Sequence, residues 1–317
     1  MSFKQELLEA LKSFRPQSDQ SKALLEHDPS ATAVSRLLAE PQGLSLVEYI
    51  ANDLQCGKKP LYSTSRFVEK AKLSELIEYF YGLHNQAVLD VLLATYYQFW
   101  VRPGENGAKA TYDALRKVES SEAITSRKFV TNVCMNCYSV LNEGTFQCTQ
   151  CGRDEVLTVS SISLAANAKT ALKNGQYLEL YTKECLSRSG VELIGWEVDK
   201  RGTKACTSVK YQIDGEQIDV DVHGIAEPLA LILCEVKTSE KISMNELRRV
   251  EDLFDRLSER IDKLTGRNFK YLKVFIITGE FDQNISLGSY KRKYWELMGR
   301  ASIVNLVEEL RKAQNEL

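Results

Sequence analysis

The most constraining feature of the sequence is an uninterrupted apolar run, LALILC, at residues 229–234. A short run of this kind predicts a β-strand that is buried on both faces of a sheet. Glu235, Val236 and Lys237 follow the run directly. Since residues two apart in a strand point to the same face, the Glu235 carboxylate and the Lys237 ammonium group are expected side by side. A buried strand that ends in two charges predicts a site at the edge of a sheet.

The segments around this run predict a mixed α/β sheet in the C-terminal half of the chain. Strand-like runs precede it at residues 191–200, 207–215 and 216–224, separated by turn residues. A long amphipathic helical pattern at residues 243–264 follows, and then another apolar run, YLKVFIITG. This order describes an antiparallel meander and a helical crossover to a further strand. A helix, a short strand (SIVNL) and a last helix are predicted to close the chain.

The remaining segments predict two further regions. Residues 1–127 contain runs with apolar residues at three- and four-residue spacing, such as SLVEYIANDL, LSELIEYFYGL and NQAVLDVLLATYYQFW, which predict helices. Residues 128–160 are rich in cysteine and contain short strand-like runs. Two helices are predicted after them, at SISLAANAKTALKNG and QYLELYTKECLSRSG. We therefore predict a helical domain (1–127), a cysteine-rich insert (128–160) and an α/β domain (161–317).

Four cysteines within 18 residues indicate a metal site. Two C-x-x-C pairs lie on either side of a predicted hairpin that contains Gly144: Cys134, Cys137, Cys148 and Cys151. Each pair can direct two thiolates at one ion, and two pairs complete a tetrahedron. No further ligand is evident, which favours a structural Zn²⁺ over a redox dithiol pair or an iron–sulfur cluster. The segment resembles a zinc ribbon, a module that contacts nucleic acid or protein, or braces neighbouring domains.

Composition and charge exclude some classes of protein. The formal net charge of −2 gives no overall nucleic-acid signature, so any basic surface must be local. No apolar run approaches the length of a membrane span, which predicts a protein without a membrane partner. The first 14 residues mix acids and bases in a helical pattern and lack the features of a signal peptide. We therefore expect a cytoplasmic or nucleoid-associated protein.

Further acids lie in the strand that precedes the apolar run. In strict alternation, Asp219, Asp221 and His223 share one face of residues 216–224, and Ile218, Val220 and Val222 share the other. An antiparallel pairing with the next strand would bring Asp219 and Asp221 close to Glu235 and Lys237. Two carboxylates about 7 Å apart repel by roughly 2 kcal/mol at an effective dielectric constant near 20. A bound Mg²⁺ or Mn²⁺ would offset this repulsion. The alternatives to a metal site are that Glu235 and Lys237 form a structural ion pair and that His223 has no functional role.

These residues resemble the PD-(D/E)xK nuclease superfamily, which has the restriction-endonuclease-like fold. The similarity lies in an acid in a first hairpin strand, an apolar run and then Glu-x-Lys, and it is nearest to the Mrr-like and Holliday-junction-resolvase branches. It covers roughly residues 165–317. The proline of the family's Pro-Asp pair is absent, because Ile218 precedes Asp219. Asp221 could replace Asp219 as the ligand or share its role.

The resemblance implies a Mg²⁺- or Mn²⁺-dependent endonuclease, with DNA favoured over RNA. Asp219 and Glu235 would hold the cation with the main-chain carbonyl of Val236, and Lys237 would assist the attack of water on the phosphodiester. Glu179, in the helix before the first strand, occupies the place of an additional family glutamate. The competing hypothesis is a non-catalytic nucleic-acid or protein-binding module, in which the ribbon provides recognition and the nuclease-like domain is a scaffold.

Basic residues near the predicted site could contact a phosphate backbone, or could be ordinary surface charges. They form two groups: Lys241, Arg248 and Arg249, and Lys291, Arg292 and Lys293. The helical first region would sense a partner, select substrate or drive oligomerisation, so a homo-oligomer or an activating protein is an expected partner. A sensing region joined to such a nuclease is similar in layout to restriction and phage-defence effectors.

Overall fold

The computed structural model divides the chain into two compact units, Pro29–Asn174 and a second unit made of Met1–Asp28 with Gly175–Leu317. The first helix therefore belongs with the C-terminal half, whereas the predicted boundaries at 127 and 160 stay predictions. The residues that the structure describes are 2–16, 28–39, 43–55, 57, 61–63, 120–134, 136–137, 140–142, 144–154, 156–194, 196–197, 204–205, 207–227, 230–239, 241–279, 281, 295–303 and 305–316.

In its described residues, the unit Pro29–Asn174 combines three helices with a four-stranded antiparallel sheet in the order β1-β4-β2-β3. Its helices pack against one another. The helices are α2 (Pro29–Leu38), α3 (Gly43–Gln55) and α4 (Ala166–Lys173). The strands are β1 (Leu61–Ser63), β2 (Ile124–Cys134), β3 (Val140–Leu141) and β4 (Val156–Leu164).

This sheet corrects two predictions for the first half of the chain. Leu61–Ser63, in a segment predicted to be a loop of the helical domain, form a short strand, because they pair with Val159–Ser161 at the edge of β4. The segment predicted as one helix from residue 161 is still strand β4 up to Leu164, which pairs with Ile124 of β2. The helix begins only at Ala166. The predicted helices at residues 73–83 and 85–100 lie outside the described residues.

In its described residues, the other unit is built on a mixed six-stranded sheet in the order β12-β11-β10-β9-β5. The sixth strand, β8, pairs with the first part of β9, from Glu216 to Val222. β10, β11 and β12 run parallel, whereas β5, β8 and β10 pair with β9 antiparallel. This confirms the predicted mixed α/β class. The strands are β5 (Glu192–Leu193), β8 (Thr207–Ile213), β9 (Glu216–Ala226), β10 (Ala230–Lys237), β11 (Lys270–Ile277) and β12 (Trp295–Met298). A separate pair consists of β6 (Trp196–Glu197) and β7 (Lys204–Ala205).

Helices α1 (Phe3–Ser13) and α6 (Met244–Thr265) pack against one face of this sheet. Ser243 caps the start of α6 by accepting a hydrogen bond from the amide of Glu246, and Gly266 ends it in a left-handed conformation. One apolar cluster contains residues from both helices and from β8–β11, among them Leu7, Leu11, Phe254, Leu257, Leu231, Leu233 and Phe275. Burial of this cluster is the main source of stability that the sheet and its two helices share.

Helix α5 (Gln176–Arg188) contacts β8, β9 and β10. Its buried residues, such as Leu178 and Leu186, do not belong to the α1–α6 cluster, which places α5 on the opposite face of the sheet. Alternate residues of β10 are buried on that side, including Ile232 and Cys234. The apolar run at residues 229–234 is thus covered on both faces, as predicted, over its described residues.

The C-terminal segment differs from its prediction. Ser302 and Ile303, the first residues of the predicted strand SIVNL, lie in the short helix α7 (Arg300–Ile303). The edge strand of the sheet is instead Trp295–Met298, which pairs with β11. Helix α8 (Leu306–Asn315) follows. None of the helices in the described part of the chain is long and apolar enough to cross a membrane.

Candidate metal centres

The first candidate centre lies where β9 and β10 stop pairing. The last ladder pair between these strands joins Cys234 and Val222. Just beyond this pair, the main-chain amide of Val236 donates a hydrogen bond to Asp221 Oδ2, at 2.7 Å. A side-chain carboxylate therefore takes the place of a main-chain acceptor. This bond holds the Asp221 carboxylate against the end of β10.

Glu235 and Lys237 form the ion pair that their spacing predicts. Lys237 Nζ lies 2.6 Å from Glu235 Oε1, and the exposed fractions of the two side chains are 36% and 9%. Leu231 and Leu233 of the same strand face the α1–α6 cluster, and alternation places Glu235 on that side as well. The carboxylate is thus enclosed, whereas the ammonium group reaches solvent.

Glu179 supplies a third carboxylate from the first turn of α5. The hydroxyl of Ser208, in β8, donates a hydrogen bond to Glu179 Oε2 at 2.7 Å. The helix follows Gly175, which has a φ of +75°. A Cβ atom at Gly175 would lie 2.7 Å from Thr238 Oγ1, so the start of α5 is in direct contact with the residue that follows Lys237. Only glycine meets both requirements at this position.

The pKa values of these groups show that their charges interact. Loss of hydration raises the pKa of Asp221 well above its usual range, and the Glu235 and Glu179 carboxylates raise it further. Burial also raises the pKa of Glu235, although Lys237 lowers it. Burial lowers the pKa of Lys237, but Glu235 and Asp221 outweigh that effect and the net shift is upward. Holding three ionised carboxylates together is therefore unfavourable without an additional positive charge.

This donor set fits a hard divalent cation. Carboxylate oxygens are the ligands that Mg²⁺ and Mn²⁺ prefer, and a bound cation favours the ionised form of each acid. Among the described residues, however, the four cysteines are the group whose ligand atoms lie close enough together to hold a metal ion, so a cation held by Asp221, Glu235 and Glu179 is a proposal. Lys237 would then stand beside the cation as a second positive group, held by its ion pair with Glu235.

Asp219 and His223 make different contacts from those of Asp221. The Asp219 side chain is exposed and accepts a hydrogen bond from Gln217 Nε2 at 3.0 Å, although its charge still raises the pKa of Glu235 slightly. His223 is fully buried, and its Nε2 lies 2.8 Å from the Tyr211 hydroxyl. The prediction that Asp219, Asp221 and His223 share one face is therefore wrong for His223.

A slip in the alternation of β9 explains this difference. Ile218, Val220 and Ile225 all belong to the α1–α6 cluster. The residues of β9 that face this cluster therefore change from even-numbered to odd-numbered positions between Val220 and Ile225. His223 pairs with Leu233, which is also in that cluster, and so it faces inward. Asp221 lies at the slip. Strict alternation in sequence cannot reveal such a slip, because it depends on the two neighbouring strands.

Of the two groups of basic residues that were predicted to contact phosphate, one lies in the described part of the chain. Lys241, Arg248 and Arg249 are exposed. Arg249, on α6, lowers the pKa of Glu235, which places its charge within electrostatic reach of the candidate centre. Lys291, Arg292 and Lys293 lie outside the described residues. Ser208 also contributes to this region, through its hydrogen bond to Glu179. The sequence did not indicate this role, because a lone serine in a strand carries no recognisable pattern.

The second candidate centre is the four-cysteine cluster. Cys134 ends β2, and the other three cysteines lie in the turns around β3. The Sγ atoms of Cys134 and Cys151 are 3.6 Å apart and those of Cys137 and Cys148 are 3.3 Å apart. All four Sγ atoms lie within 4.8 Å of one another, and none of the four cysteines forms a disulfide bond. Around one Zn²⁺ with Zn–S distances of about 2.3 Å, the sulfur atoms would be about 3.8 Å apart. The cluster could therefore hold a structural metal ion such as zinc.

Comparisons with known proteins add little. No protein-family model and no curated protein matches the chain. Among solved structures, the chain is similar to the crystal structure of protein VC1899 from Vibrio cholerae, with 12% identity and a TM-score of 0.41. The match covers 98% of this chain and 61% of that one, so the chain spans less than two thirds of its length. A similarity at this level carries no argument about fold or function.

Proposed function

We propose that the chain is a divalent-cation-dependent nuclease that hydrolyses phosphodiester bonds, with DNA as the favoured substrate. The observation that carries the proposal is the ion pair of Glu235 and Lys237 at the end of β10, with the Asp221 carboxylate bonded to the main-chain amide of Val236 between them. The order of helix α5, the β8–β9–β10 meander, helix α6 and parallel strand β11 supports a restriction-endonuclease-like fold. The resemblance to the PD-(D/E)xK superfamily rests on Asp219, Glu235 and Lys237, and Asp221 takes the place of Asp219 in this proposal.

Each residue has a distinct task in this proposal. A Mg²⁺ or Mn²⁺ ion would reduce the charge on the scissile phosphate and activate a water molecule. Asp221 and Glu235 would hold that ion, with the Val236 carbonyl as a further ligand and Glu179 completing the carboxylate set. The Lys237 ammonium group would stabilise negative charge on a phosphoryl oxygen. Its ion pair with Glu235 orients it for this task.

The other elements would assist substrate binding. Lys241, Arg248 and Arg249 would contact phosphates beyond the reacting one. The cysteine cluster would bind Zn²⁺ and form a zinc ribbon that recognises nucleic acid or braces the chain. The region before the ribbon would bind an activating partner or a second copy of the chain.

The direct test is a cleavage assay with several substrates. Purified protein is incubated with linear duplex DNA, supercoiled circular DNA, single-stranded DNA and RNA, in Mg²⁺, Mn²⁺ or chelator. Lys237→Ala is the test variant. Lys263→Ala is the matched control, because Lys263 is an exposed lysine in the last turn of α6. We expect cleavage that needs the cation, is lost in Lys237→Ala and persists in Lys263→Ala.

Binding of Mn²⁺, measured by calorimetry, provides a second readout that does not depend on an activator. Wild type should bind Mn²⁺ and Glu235→Ala should not. If wild type neither cleaves nor binds Mn²⁺, the nuclease proposal is wrong. Retained binding of nucleic acid under those conditions would favour the non-catalytic binding module.

A further inference from the structure

Each C-x-x-C pair of the cysteine cluster is held by hydrogen bonds of its own. In the first pair, the main-chain amide of Asn136 donates to Cys134 Sγ at 3.4 Å. In the second pair, the amide of Cys148 donates to the carbonyl of Arg153 at 2.6 Å, and the Cys148 carbonyl accepts from the amide of Gly152 at 2.8 Å. These bonds shape each turn separately. A four-ligand site also requires that the two turns stay at a fixed distance from each other.

Asn132 connects the two turns. It lies two residues before Cys134 in β2 and therefore on the same face of the strand. Its Nδ2 atom donates a hydrogen bond to the main-chain carbonyl of Thr145 at 2.6 Å. Thr145 lies three residues before Cys148. One side chain thus joins the strand that ends in the first ligand to the segment that leads into the second pair of ligands.

Asn132 is an unusual residue for this place in the sheet. Asparagine is depleted in strands, yet Asn132 pairs with Leu141 of β3 and Thr158 of β4 near the end of β2. Its exposed fraction is 4%, and the surrounding cysteines pack with the apolar side chains of Leu141 and Val156. Burial of an amide is unfavourable unless the amide is hydrogen-bonded. An apolar side chain would satisfy the packing, so the bond to Thr145 is what the asparagine contributes.

We propose that Asn132 is a positioning residue of the zinc centre, whose amide sets the distance between the two C-x-x-C turns so that four thiolates meet around one ion. The inference rests on the proposed zinc centre and adds to it a residue that is not a ligand. Removal of an outer-shell partner typically lowers metal affinity by about 10- to 100-fold. Asn132 holds the segment before a ligand rather than the ligand itself, so we expect the lower end of this range.

Asn132→Leu removes the donor and retains the branched shape of the side chain. Its affinity for Zn²⁺, measured on the full chain by competition with a chromophoric chelator, should fall about tenfold. Thr125→Val is the matched control, because Thr125 Oγ1 also donates from β2 to a main-chain carbonyl, that of Ser163, at 3.1 Å. This bond lies at the other end of the strand, so the control should bind Zn²⁺ as wild type does. A purely structural role for Asn132 would destabilise the metal-free and the metal-bound protein equally and leave the affinity unchanged.

Asn132→Ser is a second variant, which removes the same bond with a smaller side chain. A loss of similar size in Asn132→Leu and Asn132→Ser would assign the effect to the bond rather than to packing. Co²⁺ provides a spectroscopic readout, because the visible absorption bands of a tetrahedral thiolate site depend on its geometry. At saturating Co²⁺, both variants should give shifted bands, whereas Thr125→Val should give the wild-type spectrum.

Circular dichroism identifies the variants that are folded. The inference is wrong if either folded variant of Asn132 binds Zn²⁺ with the affinity of wild type and gives the wild-type Co²⁺ spectrum. Failure of the zinc centre itself would look different, because wild type would then bind neither ion.

Discussion

The main-chain amide of Val236 donates a hydrogen bond to Asp221 Oδ2 across 2.7 Å, just beyond the last ladder pair of β9 and β10. This bond joins the acidic strand to the Glu-x-Lys strand. It also favours an ionised Asp221, against the effects of lost hydration and of the neighbouring carboxylates. It distinguishes Asp221 from Asp219, whose exposed side chain accepts a hydrogen bond from Gln217 instead.

The first prediction compares these two aspartates. Asp221→Asn retains an acceptor for the Val236 amide but removes a charged ligand, so Mn²⁺ affinity should fall about 100-fold or more. Asp219→Asn changes an exposed side chain and should alter the affinity less than about twofold. In metal-free buffer, Asp221→Asn should unfold at the same temperature as wild type or higher, because a repulsive charge is lost. Calorimetry and thermal denaturation measure the two quantities.

The reverse ranking would change the assignment. If Asp219→Asn loses Mn²⁺ binding and Asp221→Asn retains it, Asp219 is the ligand that the family resemblance first suggested. Asp221 would then be a structural cap for the end of β10.

The second prediction concerns the cysteine cluster. Purified wild-type protein should contain one zinc ion per chain, whereas Cys148→Ser should contain little or none. Cys185→Ser is the matched control, because Cys185 is also buried but lies in α5, away from the cluster. Zinc binding stabilises small metal domains by on the order of 10 kcal/mol, so the segment 134–151 should also become sensitive to protease in Cys148→Ser.

Elemental analysis and limited proteolysis check this prediction. Full zinc content in Cys148→Ser would contradict it. So would a wild-type protein that contains no metal, takes up none from solution and resists protease in this segment.

The third prediction is a pH dependence of stability that arises from His223. Burial, aided by Arg15, lowers the pKa of His223 from 6.5 to about 3. The unfolded chain therefore binds a proton below about pH 6.5 that the folded chain does not. The stabilisation is complete above that pH and is lost as the pH falls toward the folded pKa. The free energy of unfolding should decrease by on the order of 1.4 kcal/mol per pH unit in this window.

Urea denaturation between pH 7.5 and pH 5 measures this slope. His223→Gln lacks the titrating group, so its stability should depend less on pH than that of wild type, even if its absolute stability is lower. Parallel curves for the two proteins would show that His223 is not buried in its neutral form.

The fourth prediction uses two leucines of one helix. Leu257 is fully buried in the α1–α6 cluster, whereas Leu264, two turns later on α6, is 57% exposed. Leu257→Ala should lower the free energy of unfolding by about 2–5 kcal/mol, because it leaves a cavity. Leu264→Ala should change it by less than about 0.5 kcal/mol. Urea denaturation of both variants checks which face of α6 packs on the sheet, and equal effects would contradict the assignment.

Much of the local structure could be predicted from the sequence. The apolar run at residues 229–234 predicted a buried strand because no polar residue interrupts it, and the structure covers the described part of that strand on both faces. The period-two rule placed Glu235 beside Lys237, and their 2.6 Å contact agrees. The two C-x-x-C pairs predicted the cysteine cluster, because each short turn brings its own two thiols together. All of these features depend on residues that are close in the chain.

The tertiary structure decided the features that depend on distant segments. Leu61–Ser63 form a strand only because β4 offers an edge, and Trp295–Met298 pair with β11 although SIVNL has the stronger strand pattern. Asp221 accepts a hydrogen bond from the Val236 amide because the end of β10 lies beside the slip in β9. Ser208 reaches Glu179 across 29 positions of the chain. The periodicity of a segment indicates which way its own residues point. Which side chains finally meet depends on packing against other strands and helices, because strand pairing and burial act between segments that are distant in the sequence.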